Sequence, residues 1–172
     1  FSEAYIQETI LNNTEIASDL IALFKARLSP LDNNSNQELR AQQEQEIKTR
    51  ILESLDKINN LDEDRILRRF LDVILATLRT NYFQIDNNKH KNYISFKLNP
   101  HLIPDVVLPL PMFEIFVYSA RIEGIHLRGA KVARGGLRWS DRREDFRTEV
   151  LGLMKAQQVK NSVIVPAGAK GG

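Results

Sequence analysis

Residues 146–172 read FRTEVLGLMKAQQVKNSVIVPAGAKGG, and the succession of patterns in this stretch decides the fold class. Phe146, Val150, Leu153 and Met154 recur at helical spacing and give one apolar face. Ser162-Val163-Ile164-Val165 is then a short apolar, β-branched run, the pattern of a buried strand. Pro166 and the glycines that follow end it in a loop. Helix, strand and loop in that order place a helix against a sheet. Ser140 or Asp141 is the expected cap of this helix.

Upstream, residues 93–98 alternate and stop at Asn99-Pro100, which predicts a strand. Residues 113–119 and 125–128 predict two more, joined through 121–124 as a hairpin. The proline-rich stretch 104–111 lacks the backbone donors of a central strand or helix and is expected to cross between elements. Residues 86–92 look turn-like, and 129–140 form a loop rich in glycine and arginine. The first third is helical. Ile6, Ile10, Ala17, Leu20, Ile21, Phe24 and Leu28 predict one helix over 5–28, stopped by Ser29-Pro30. Leu39, Ile47, Ile51, Leu55 and Ile58 mark a second, and Ile66 through Leu78 a third that opens on Asp62, Glu63 and Asp64. The class is α+β: a helical region, residues 1–92, followed by a mixed sheet with a flanking helix, residues 93–172.

Composition narrows the function. With 24 basic against 22 acidic residues in 172 and 42% hydrophobic, the chain has the make-up of an ordinary globular protein. There is no secretory signal pattern and no run long enough to cross a membrane, so a cytoplasmic location is expected. Cysteine is absent and the histidines are only His90, His101 and His126, which removes disulfides and thiolate chemistry and leaves no metal site expected. A first residue of Phe1 and a close on Gly171-Gly172 read as part of something longer.

Three features carry chemistry. Extending the stripe Phe146, Val150, Leu153 lands on Gln157 and Lys160, polar residues on a face that should be buried. A lysine there needs a counter-charge or a wet cleft, or it reaches water and complements the helix dipole. Second, Ala167-Gly168-Ala169-Lys170-Gly171-Gly172 leaves one reactive group among residues that let a ligand approach the backbone; the plainer alternative is a solvated turn. It has neither the P-loop register nor a G-x-G-x-x-G pattern. Third, Arg134-Gly135-Gly136-Leu137-Arg138-Trp139 lies in a stretch, 128–143, with six basic residues and only Asp141 as acid. Arginine suits carboxylate or phosphate. Basic residues beside Trp139 could instead grip a nucleic acid. If Arg134, Lys160 and Lys170 share one concavity, its ligand is a dianionic small molecule.

The segment KVARGGLRWSDRREDFRTEVLGLMKAQQVKNSVIVPAGAKGG, residues 131–172, resembles the start of the catalytic region of the large bacterial NAD-specific glutamate dehydrogenases, and more distantly the substrate domain of the hexameric enzymes. The likeness reaches back through IHLRGAK and PLPMFEIFVYS to Pro109. The resemblance implies that Lys170 is the catalytic lysine of the G-A-K-G-G loop. By the same resemblance Lys160 binds the substrate α-carboxylate with Gln157 nearby, and Gly135 and Gly136 are the loop glycines. Arg134 stands where the hexameric enzymes have a lysine for the distal carboxylate. The implied reaction converts L-glutamate to 2-oxoglutarate and ammonia with hydride transfer to NAD, in amino acid catabolism, by a homo-oligomeric enzyme with no nucleic-acid or membrane partner. NAD is expected on a domain outside this chain, so these residues alone are expected to be inactive. The competing reading is a helical interaction module with a basic anion- or nucleic-acid-binding loop.

Overall fold

The computed structural model describes residues 1–30, 36–142, 145–160 and 168–172, and these form two compact units, residues 1–75 and 76–172. The division falls ahead of the 92/93 boundary read from the sequence.

In the first unit, α1 (Glu3–Asn12) and α2 (Thr14–Leu28) replace the single helix expected over 5–28. The break is Asn13, at φ −122° and ψ 52°, whose side-chain amide donates to the Thr9 carbonyl and to Glu63. An asparagine that hydrogen-bonds backbone locally offers the chain an alternative to the helix ladder. The apolar face of α2 is also rotated from the expected one: Ile16, Leu20 and Leu23 are buried while Ile21 is exposed. They pack against Ile47, Ile51 and Leu55 of α3 (Gln37–Leu55) and Leu67 and Leu71 of α4 (Leu61–Ala76). Asn60 caps α4 by accepting from the Asp62 and Glu63 amides, and Arg40 donates to the Ala26 and Ser29 carbonyls at the end of α2.

Chain order in the second unit is β1 (Thr77–Thr80), the small hairpin β2 (Ile85–Asp86) and β3 (Lys89–His90), β4 (Ile94–Leu98), β5 (Phe113–Tyr118), β6 (Glu123–Arg128), β7 (Arg134–Gly136), α5 (Phe146–Lys160) and β8 (Ala169–Gly171). The three expected strands are β4, β5 and β6. Four corrections accompany them. The helical stripe does not extend to Leu78, which lies in β1. The turn-like 86–92 carries a two-stranded hairpin through Asn87 and Asn88, both at positive φ. Residues 134–136 and 169–171, expected as loop, are strands. Ser140 does not cap α5; its hydroxyl accepts from the Arg142 amide and donates to Glu149 in the first turn. The strand expected over 162–165 lies outside the described residues.

The main sheet runs β1-β4-β5-β6-β8-β7 and is antiparallel except for β7 against β8. Its mixed character agrees with the α+β class. α5 covers one face, where Val150, Leu151 and Met154 meet Ile125, Leu127 and Ala169. Glu114 of β5, only 8% exposed between Leu98 and Leu127 in the register, receives both Nε (2.8 Å) and Nη2 (2.7 Å) of Arg147 on α5. A two-pronged pair of this kind fixes the helix azimuth as well as its distance. Glu114→Ala, which strands the guanidinium, is expected to lower the unfolding free energy by about 3 kcal/mol in urea denaturation.

Candidate functional site

Lys170 is the middle residue of β8, enclosed by β6 on one side and β7 on the other. The strand is stitched in through the backbone. Gly129 N donates to Ala169 O (2.8 Å), Arg134 N to Gly168 O (2.6 Å), Gly172 N to Gly136 O (3.1 Å) and Arg138 N to Gly172 O (2.8 Å). Two small-residue segments can therefore pair, although neither has a side-chain pattern that announces a strand.

The glycines are not equivalent. Gly135 is directly opposite Lys170, and a Cβ there would fall 1.6 Å from the Lys170 carbonyl oxygen. No rotamer change relieves a clash with backbone. Gly171 faces α5, where a Cβ would meet the Val150 carbonyl at 3.0 Å, whereas Gly136 has open space. The two loop glycines named in the sequence thus differ: one is required by strand contact, the other is not.

Pleating divides the charges between the two sheet faces, since residues level across strands share a face and successive residues alternate. One level row is Phe113, Arg128, Lys170, Gly135; the next is Arg79, Lys97, Ile115, His126. Both rows lie on the face away from α5. Glu114 and Glu123, the acids on the main strands, lie on the α5 side. Arg128 is held in place by donating to the carbonyls of Ala130 and Lys131, and the Lys97 ammonium sits 3.9 Å from the Phe113 ring centroid. His126 is half-buried beside them. Burial, then the charges of Lys170 and Arg128, push the pKa of its imidazole down and favour the neutral form.

The remaining candidates stand elsewhere. Arg134 is level with Ala169 rather than with Lys170, so on the pleat the two side chains leave from opposite faces, and the edge strand leaves Arg134 exposed. It has no side-chain hydrogen bond or ion pair among the described residues. Gln157 is half-buried in the last turn of α5, and Lys160, the final helical residue, is exposed. The fully buried face of α5 ends at Met154, and Lys160 stands beyond it at the exposed helix end. The link from Lys160 towards Lys170, residues 161–167, lies outside the described residues.

Much of the basic loop is committed to structure. Arg138 (2.8 Å) and Arg142 (2.9 Å) both pair with Glu149 on α5, while Trp139 is 80% exposed. A cleft of about 520 Å³ between this loop, the β5–β6 turn and α5 is lined by Ile122, Leu137, Trp139 and Phe146 but by none of the predicted site residues. Among the described residues no three His, Asp or Glu side chains group as for a metal, and no helix is long and apolar enough to cross a membrane. Arg128 and His126 share the face of Lys170 and are not among the candidates read from the sequence. Their signal was available, because alternation along 124–128 sets both on one face.

Residues 50–172 match the family described as bacterial NAD-glutamate dehydrogenase, catalytic domain, and residues 1–30 match glutamate dehydrogenase, helical motif 3. The chain is 58% identical, over its whole length, to the NAD-specific glutamate dehydrogenase of Pseudomonas aeruginosa, covering 11% of that protein. It is 52% identical over 99% of its length to that of Halomonas elongata, and 48% over its whole length to that of Mycobacterium tuberculosis, covering 10% of each. The chain therefore spans about a tenth of the length of these curated relatives.

Gly135→Ala is expected to break the β7–β8 pairing and speed hydrogen exchange at the amides of Arg134 and Gly172 by at least about tenfold, while Gly136→Ala leaves both rates within about twofold.

Proposed function

The chain belongs to the bacterial NAD-glutamate dehydrogenases, with residues 50–172 in their catalytic domain, and from that membership we propose that it supplies the catalytic lysine and part of the glutamate site of such an enzyme. The whole enzyme oxidises L-glutamate to 2-oxoglutarate and ammonia. The observation that carries the reading is Lys170: an ammonium-bearing side chain on a strand enclosed by β6 and β7, on a sheet face whose charged neighbours are all cations.

Each residue has a distinct task. A ligand with two carboxylates fits a face that offers positive charge and, among the described strand residues of the main sheet, no acid; holding it by both ends turns binding into orientation. Lys170 exchanges a proton with the reacting amine or the attacking water. Gly135 lets β7 lie against the Lys170 backbone, which keeps the lysine from shifting along its strand. By the family resemblance Arg134 is assigned to the distal carboxylate and Lys160, with Gln157, to the α-carboxylate; Arg134 leaves β7 on the face opposite Lys170. NAD accepts the hydride; no residue of this chain is assigned to it, and its binding is assigned to another part of the enzyme. Cytoplasmic location, amino acid catabolism and assembly from identical subunits belong to the same reading, as properties of the whole enzyme. The nucleic-acid alternative is disfavoured because Arg138 and Arg142, the cations flanking Trp139, already pair with Glu149.

In the full-length enzyme, Lys170→Ala is expected to lower kcat by about 10²–10⁴-fold with the melting temperature unchanged; retained turnover would refute the role. Arg134→Ala is expected to raise KM for glutamate by about tenfold or more with a smaller change in kcat. An unaltered KM would remove Arg134 from the substrate site, which its position on the opposite pleat face makes the sharper of the two tests.

A further inference from the structure

The face that carries Lys170 also holds a titratable imidazole, His126. His126 is one residue along β6 from the row Phe113, Arg128, Lys170, Gly135, and alternation returns it to the same face as Arg128. A Cβ placed on Gly172 would lie 3.2 Å from the His126 ring, so the imidazole sits beside the C-terminal end of β8, immediately beyond Lys170.

We propose that His126 faces the anion bound beside Lys170 and takes up a proton when that anion binds, becoming a further cation of the site. The inference rests on the dicarboxylate reading above and adds a residue to it. The charged groups that face His126 are Lys170 on β8, Arg128 on its own strand, Lys97 in its level row beyond Ile115 of β5, and Arg79 beyond that on β1. Leu137, from the loop after β7, approaches the same Gly172 position and is apolar. No acid of the main strands shares the face.

The sign follows from that inventory. Without a ligand, burial, Lys170 and Arg128 all disfavour a charged imidazole. A dianion opposes the two cationic terms and adds an attraction of its own, so the proton moves from solvent to a ring nitrogen as the ligand arrives. By linkage, the protonated form binds the anion more tightly, and affinity rises as pH falls through the range where a histidine titrates. A neutral amide at position 126 cannot take the proton, and that part of the pH dependence disappears with it.

The test uses the full-length enzyme and glutarate, a five-carbon dicarboxylate without the reactive amine, as a competitive inhibitor against glutamate. Between about pH 8 and about pH 5.5, the inhibition constant of the wild type is expected to fall by about tenfold more than that of His126→Gln. Parallel curves for the two enzymes overturn the role of His126 while leaving the dicarboxylate site intact. Failure of glutarate to compete with glutamate at any pH overturns the site reading itself. A merely structural histidine would change the melting temperature and not the difference in slope. If His126→Gln does not fold, calorimetry of wild type with glutarate near pH 6.5 in buffers of different ionisation enthalpy is expected to show net proton uptake; none would overturn the proposal.

Discussion

Everything around Lys170 depends on the close approach of two backbones. β8 has three residues, two of them without useful side chains, and it stays in the sheet because it is bonded on both edges. The approach is so tight on the β7 side that only hydrogen fits at Gly135. A lysine on a free loop would sample many positions; one carried by an enclosed strand has its Cα fixed and only its own side-chain torsions left to vary. The constraint is steric, not electrostatic, and it acts on the backbone of Lys170 itself.

The second organising fact is the separation of charge by sheet face. Toward α5 the strands present Glu114, matched to Arg147, within an apolar layer. Away from α5 they present Arg79, Lys97, Arg128 and Lys170 with no acid of the main strands. Such a face repels itself, and two of its members are restrained by neutral groups, carbonyls for Arg128 and an aromatic ring for Lys97. Cations restrained by neutral partners keep their full charge for a ligand, whereas Arg138 and Arg142 have already given theirs to Glu149.

The amino-acid pattern disclosed the parts of the fold in which side chains alternate or recur. β4, β5 and β6 and the buried stripe Ile47, Ile51, Leu55 could be read directly because burial imposes period 2 or 3.6 on residue type. β7 and β8 could not, since Arg134-Gly135-Gly136 and Ala169-Lys170-Gly171 have almost no side chains to alternate, and what makes them strands is a partner far away in the sequence. Asn13 broke a helix that apolar spacing alone would continue, because a local hydrogen bond competes where periodicity has no voice. For the candidate site, the bareness of the residues around Lys170 was visible in the sequence. That Arg128 and His126 share its face needed the register, which relates them to a strand some forty residues on.

The order in which these strands occur along the polypeptide has a consequence for how the sheet assembles. β4, β5 and β6 are neighbours both in sequence and in space, whereas β8 follows β6 only after β7 and α5. Closing the longer loop costs more chain entropy, so the local meander is the cheaper structure to form early, and β8, with β7 beyond it, adds to the β6 edge afterwards. During synthesis the meander also leaves the ribosome first. The segment that brings Lys170 is thus the last to be seated, and because β7 pairs with no described strand but β8, anything that weakens its docking frees both strands while β1, β4, β5 and β6 keep their pairing.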